Sequence, residues 1–201
     1  MDLRKHKAIF FAAIAISSLF VASPALQKLL AYPQTDFYTE MWLLGSTHLA
    51  QDYPHNIAKN VSYNVYLGIA NHLGSRSYYQ IEIKVRNETQ PEANSFNRTF
   101  SSQPSLYNMT AFIANKETWE TPLEFSFDYY NVSDGNATQI NFNSLRLNDV
   151  SLNLKGYSST WNNSRRDFYE GISFELWIYN STVRDFQYNE RFITLRFNMT
   201  A

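Results

Sequence analysis

Tyr79-Gln80-Ile81-Glu82-Ile83-Lys84-Val85-Arg86 alternates without error between apolar and polar side chains. A period of two is the signature of a strand with one buried face and one polar face. Just before it, Tyr63, Val65, Leu67 and Ile69 share one face of a second run. Between the two lies Asn71-His72-Leu73-Gly74-Ser75, a polar stretch with the composition of a turn. The two runs are therefore expected to pair as neighbouring antiparallel strands, with their charges turned to solvent.

The same period recurs downstream. Leu123, Phe125 and Phe127 alternate with Glu124, Ser126 and Asp128, and Ile172, Phe174, Leu176 and Ile178 alternate with Ser173, Glu175, Trp177 and Tyr179. Ile193, Leu195 and Phe197 alternate with Thr194, Arg196 and Asn198. The last two of these runs are expected to form a hairpin through Val183–Asn189. Weaker strand signals cover Phe37–Leu44, Ala111–Ala114, Ile140–Leu147 and Val150–Leu154. Short strands separated by polar turns, without a helical stripe among them, predict a mainly β fold, an immunoglobulin-like antiparallel β-sandwich. Its interior is expected to hold Val65, Leu67, Ile69, Ile81, Ile83, Val85, Phe125, Phe127, Phe174, Leu176, Ile178, Leu195 and Phe197.

A different pattern precedes the strands. Arg4, Lys5 and Lys7 stand before an apolar run from Ala8 to about Ala22, which resumes weakly through Leu30. Positive charge ahead of such a run predicts one transmembrane helix, about residues 8–30, with its N-terminus in the cytoplasm. Gln27 and Lys28 are placed to snorkel at the outer interface, and Tyr32 to sit among headgroups. Cleavage as a signal peptide at Ser23-Pro24-Ala25 is the weaker alternative, because Pro sits at the centre of the small-x-small site. The organisation expected is a membrane anchor over residues 1–31 and an exterior β-domain over 32–201. Residues 91–170 are either an elaboration of that domain or a second subdomain.

The exported part carries nine Asn-x-Ser/Thr acceptor sites, at Asn60, Asn87, Asn97, Asn108, Asn131, Asn136, Asn162, Asn180 and Asn198. Chance would supply roughly three in this composition, so N-glycosylation is favoured for the set. Cysteine is absent, which excludes a disulfide framework and a thiolate nucleophile or metal site. An exported protein with many acceptor sites and no disulfide fits a prokaryotic envelope, an archaeal one in particular. A net charge of −1 points away from nucleic acid.

Signals for chemistry are weak. His48, His55 and His72 are isolated, and His72 reads as a solvated turn residue. Asp128 and Asp134 flank a Tyr/Asn stretch that reads as a loop too poor in acids for calcium. Glu170 and Glu175 are too weak a hydrolase pair, since Glu175 falls on an outward strand face without a visible partner. No cofactor and no metal are expected. Trp177 and Tyr179 on the polar side of their strand, with Trp42 on the first strand, are candidates for stacking on sugars or for a protein contact. The alternative is that longer connections fold over that face.

Asp36–Gly45, Asp52–Asn60, Tyr63–Gly74 and Tyr78–Val85 together resemble an archaeal family of uncharacterised membrane proteins known only as a domain of unknown function. The resemblance rests on Phe37-Tyr38-Thr39-Glu40-Met41, Tyr53-Pro54-His55-Asn56 and Leu67-Gly68-Ile69-Ala70-Asn71-His72, and is close over residues 32–90. It implies an immunoglobulin-like exterior domain and supplies no catalytic residue. Larger relatives carry several membrane helices where this chain offers one. The function expected is that of a non-enzymatic, single-pass envelope glycoprotein held in the lipid bilayer, whose exterior domain meets protein or glycan partners. The alternatives are a carbohydrate-binding module using the aromatics and, less favoured, an envelope hydrolase.

Overall fold

The structure is a computed structural model that describes residues 7, 10–14, 16–18, 37–134 and 137–200. Residues 1–37 and 38–201 form two units. In the first, residues 10–14 and 16–18 are helical and exposed. Among the described residues no helix is long and apolar enough to cross a membrane. Most of the expected anchor, Ser23-Pro24-Ala25 and the acceptor Asn136 lie outside the described residues.

The second unit is built from eleven strands: β1 (Tyr38–Leu44), β2 (Asn56–Ile57), β3 (Tyr63–His72), β4 (Ser77–Asn87), β5 (Tyr107–Ile113), β6 (Thr118–Asp134), β7 (Ala137–Leu147), β8 (Val150–Asn153), β9 (Ser158–Thr160), β10 (Tyr169–Asn180) and β11 (Asp185–Met199). They make two sheets. The first has the order β1-β3-β6-β7-β8, with β9 also on β7; the second has the order β2-β11-β10-β4-β5. Pairing is antiparallel apart from β2 on β11. The inner faces share one apolar core, in which the expected interior residues are buried and Ile178 is partly buried. Phe127 packs its ring against Phe142 at 5.7 Å and Phe197 at 5.5 Å, so aromatic contacts tie the two sheets together. The strands of 91–170 belong to both sheets: β5 to the second, β6 to β9 to the first.

One expectation is overturned here. β3 and β4 are not neighbours, because β3 lies between β1 and β6 while β4 lies between β10 and β5. Strict alternation is satisfied equally by strands side by side and by strands facing each other across a core, and these two face each other. Asn71 holds the crossing between sheets. Fully buried, it donates from Nδ2 to the carbonyls of Ser75 (2.8 Å) and Ile113 (2.9 Å), and its Oδ1 accepts from Leu73 N (3.1 Å). His72 is the half-buried end of β3, stacked on Tyr38 at 4.6 Å, rather than a solvated turn residue. The β10–β11 hairpin does form, but through 181–184, because β11 begins at Asp185.

Register defines the two ends of the sandwich. Tyr38 opposes His72, Ala70 opposes Thr118, Ser77 opposes Ile113 and Tyr79 opposes Ile178. The start of β1, the β3–β4 crossing, the β5–β6 turn and the β10–β11 hairpin therefore share one end. Met199, paired with Ile57, lies at the other.

Candidate functional site

The outer face of the second sheet is organised in rows across its strands. At the end of the β10–β11 hairpin, Phe112 on β5 opposes Tyr78 on β4, and Tyr179 on β10 opposes Phe186 on β11. Ring centroids are 6.2 Å apart for Phe112–Tyr78, 6.4 Å for Tyr78–Tyr179 and 5.5 Å for Tyr179–Phe186. Four rings thus run across four strands. Three of them are exposed, Phe112 at 64%, Tyr179 at 41% and Tyr78 at 38%, and Phe186 is half-buried. The Arg76 guanidinium lies 5.3 Å from the Phe112 ring centre. Beside the rings is a groove of about 460 Å³, lined also by Ser75, Ser77, Asn180 and Gln187 and by no carboxylate.

The next row is closed. Trp177, the register partner of Gln80 and Tyr188, is half-buried under Phe100, whose ring centre is 5.1 Å away. Phe100 belongs to the connection between β4 and β5, which crosses the face as a strap. Trp177 Nε1 and the Tyr188 hydroxyl are buried without a hydrogen-bond partner, and burial, followed by Glu175 and Glu190, pushes the Tyr188 hydroxyl up to about 12. Of the three aromatics singled out in the sequence, Trp177 is therefore shielded and Tyr179 exposed. Trp42 sits on the other sheet. There its indole lies across Gly68 and donates to Glu120 at 3.2 Å.

Below Trp177 the strap is anchored by charge. Lys84 and Glu175 are buried, not turned to solvent, and pair at 2.8 Å. Lys84 also meets Glu82 at 3.1 Å and the Ser101 carbonyl at 3.3 Å, while Glu175 accepts from the Ser101 amide (3.1 Å) and hydroxyl. Burying these charges is tolerable only because each has several partners. Arg86, also buried, pairs with Glu92 at 3.0 Å, and Arg196 meets the same carboxylate. An open cleft of about 500 Å³ beside them is lined by Arg86, Arg165 and Arg196 together with Glu88 and Glu92, and each arginine is paired with one of these two carboxylates.

The remaining candidates separate. Glu170 lies on the core face of β10 and Glu175 on the outer face, so they do not form a pair. Burial pushes the Glu170 carboxyl up to about 8, opposed by Ser159 and by Arg86, and its Oε1 has no partner. Asp128 is within β6, not in a loop, and holds Asn143 (2.9 Å) and Lys59 (3.3 Å). Among the described residues no three His, Asp or Glu side chains are grouped for a metal.

The acceptor asparagines fall into two sets. Asn60, Asn97, Asn108 and Asn131 are exposed. Asn87, Asn162, Asn180 and Asn198 are partly buried, with their amide nitrogens on Ser158 O, Glu88, Gln187 and Asn56 respectively. The outward phase of Asn198 thus does not leave it free, because the end of β11 is packed against β2.

Tyr78, Phe112, Phe186 and Phe100 were not legible as site residues. Tyr78 shares the polar phase of Gln80 and Glu82, one step before the alternating run. That phase was the available signal.

Comparison with solved structures gives low similarity. A β-glucosidase from Listeria innocua solved with glucose aligns at 9% identity and a TM-score of 0.37, over 85% of this chain and 17% of the enzyme. The chain therefore spans about a sixth of that enzyme's length. The CARDB domain of a Pyrococcus furiosus protein, solved with di-metal ions, aligns at 7% identity and a TM-score of 0.36, over 84% of this chain and 94% of that domain. Curated protein sequences contain no match. A family match covers residues 33–142, more than half of the chain, and on that ground the protein belongs to the family described as Domain of unknown function (DUF1616).

Proposed function

We propose that this chain is a non-enzymatic envelope protein: an immunoglobulin-like exterior sandwich on one N-terminal membrane anchor, N-glycosylated, that makes contacts through the outer face of its second sheet. The observation that carries this is the row Phe112–Tyr78–Tyr179–Phe186, of which the first three rings are exposed. Aromatic side chains left uncovered on a sheet face whose buried acid, Glu175, is held in an ion pair suit recognition better than acid–base chemistry. Lys84, Glu175, Arg86 and Glu92 are engaged in the ion pairs that hold the strap in place. Glycans belong first on the exposed set Asn60, Asn97, Asn108 and Asn131. The lack of cysteine agrees with an archaeal envelope.

A second reading, carbohydrate binding, draws on the groove beside the row, which joins rings to Arg76, Asn180 and Gln187. The test is purification of the tagged full chain from native membranes, beside a Tyr78→Ser/Tyr179→Ser variant. Stoichiometric protein partners lost from the variant support the contact domain. Retained polysaccharide lost from the variant supports the sugar reading. Retention of all partners by the variant removes the row from the function. Protease shaving of intact cells that spared the β-domain would reverse the topology, and unmodified Asn60, Asn97, Asn108 and Asn131 in native glycopeptides would remove the glycans.

A further inference from the structure

The exposed aromatic row has a position as well as a composition. It lies at the end of the sandwich shared by the β3–β4 crossing and the β10–β11 hairpin. The same end holds Tyr38, the first residue of β1, because Tyr38 opposes His72. The chain therefore enters the sandwich where the rings are. Only residues 31–37 separate Tyr38 from the apolar segment, and seven residues fully extended span at most about 25 Å. A strand of the length of β4 or β10 is itself roughly 35 Å long. If the apolar segment is in the bilayer, this tether keeps the ring-bearing end near the headgroups.

Three further observations agree. Val183, at the tip of the hairpin, is 54% exposed, and Tyr38 also presents its ring to solvent. The groove beside Tyr78, Phe112 and Tyr179 has Arg76 as its one charged lining residue, suited to anionic headgroups. Lys116 and Arg184 at the same end are balanced by Glu117 and Asp185, which leaves Arg76 as the unmatched charge of this group. Aromatic rings with arginine at a tethered end are the chemistry of a membrane–water interface, where an amphipathic ring rests its body on acyl chains and its hydroxyl among headgroups.

We infer that the end of the sandwich bearing Tyr38, Tyr78, Phe112, Tyr179 and Val183 docks on the lipid surface of the membrane in which the chain is anchored. The inference rests on the anchor proposed above and goes beyond it: the domain lies against the bilayer instead of swinging free on its tether. Phe96, on the strap and 93% exposed, is not among the residues of this end and serves as the reference position.

The chain has no cysteine, so one introduced thiol gives one label. Val183→Cys and Phe96→Cys full-length proteins would each carry a fluorophore and be reconstituted in phosphatidylcholine–phosphatidylglycerol vesicles containing a spin-labelled lipid quencher. Flotation of the vesicles reports the anchor independently of the label. The expected result is flotation of both proteins, with several-fold stronger quenching at position 183 than at 96. Adding Phe112→Ser and Tyr179→Ser to the Val183→Cys protein should abolish the excess quenching while flotation persists. Flotation with equal quenching at the two positions, or with excess quenching that survives loss of the rings, overturns the docking surface and leaves the anchor standing. Failure to float overturns both.

Discussion

The hydroxyl of Tyr79 donates to Oδ1 of Asn71 at 3.2 Å across the gap between the two sheets. It also lies 3.1 Å from the Thr39 hydroxyl, so β1, β3 and β4 meet at one buried oxygen. Burial holds the Tyr79 hydroxyl above its ordinary pKa, as expected of a phenol kept neutral inside a protein. Tyr79→Phe removes a donor from buried acceptors while keeping the ring. It should destabilise the fold by about 1–3 kcal/mol, read by urea denaturation of the full chain. Asn71→Ala should cost more, since it strips two carbonyls and an amide of their partner. A neutral Asn71→Ala would show that the crossing is held by the apolar core alone.

Gly68 and Trp42 make a second testable pair. A Cβ at Gly68 would lie 2.1 Å from the indole, well inside van der Waals contact. Gly68→Ala should push Trp42 off the sheet and break its bond to Glu120. A lower melting temperature and red-shifted tryptophan emission are expected. An unchanged spectrum would show that the indole does not rest on that glycine.

Lys84 and Glu175 should respond asymmetrically. Lys84→Met leaves a buried carboxylate without its cation and should cost about 3–5 kcal/mol. Lys84→Met combined with Glu175→Gln removes the charge imbalance and should recover part of that loss, because the Gln carbonyl can still accept from Ser101. If both single variants were neutral in denaturation, the strap would be held by Ala93, Gln103 and other apolar or neutral anchors.

Glu170 predicts a pH dependence. Its carboxyl titrates near 8 in the fold against an ordinary value of 4.5. Below 4.5 it is protonated in both states and its contribution to stability is fully present. Between 4.5 and 8 the unfolded chain releases the proton more readily, so stability falls as pH rises, levelling off above the folded value. Glu170→Gln should flatten this component of the stability curve measured between pH 5 and pH 9, a range set by those values. A wild-type curve that rises through the window would refute the buried neutral acid.

Much of the strand content could be read from period two alone, because Ile81, Phe125, Phe174 and Leu195 each alternate with polar neighbours. Which strands share a sheet could not. The alternation of β3 and β4 is the same whether they pair or stack, and the side chain that decides, Asn71, looks like any turn asparagine. The burial of the outward charges is hidden in the sequence for a related reason. Lys84 and Glu175 are correctly on the outer face, but the strap that covers it is irregular in sequence and carries no periodic signal. Tyr179 was legible as an outward ring. Its neighbours in the row come from β4, β5 and β11, and only register brings them together.

The two ends of the β-unit also set how it would carry load. β1 begins at Tyr38 at one end of the sandwich, and β11 finishes at Met199 at the other. Tension applied between these residues would draw β1 along β3 and β11 along β10, parallel to the strand axes. The cross-strand hydrogen bonds would then be strained together in shear instead of parting one at a time from an edge. A sandwich with this geometry resists unravelling when it is pulled from its two ends.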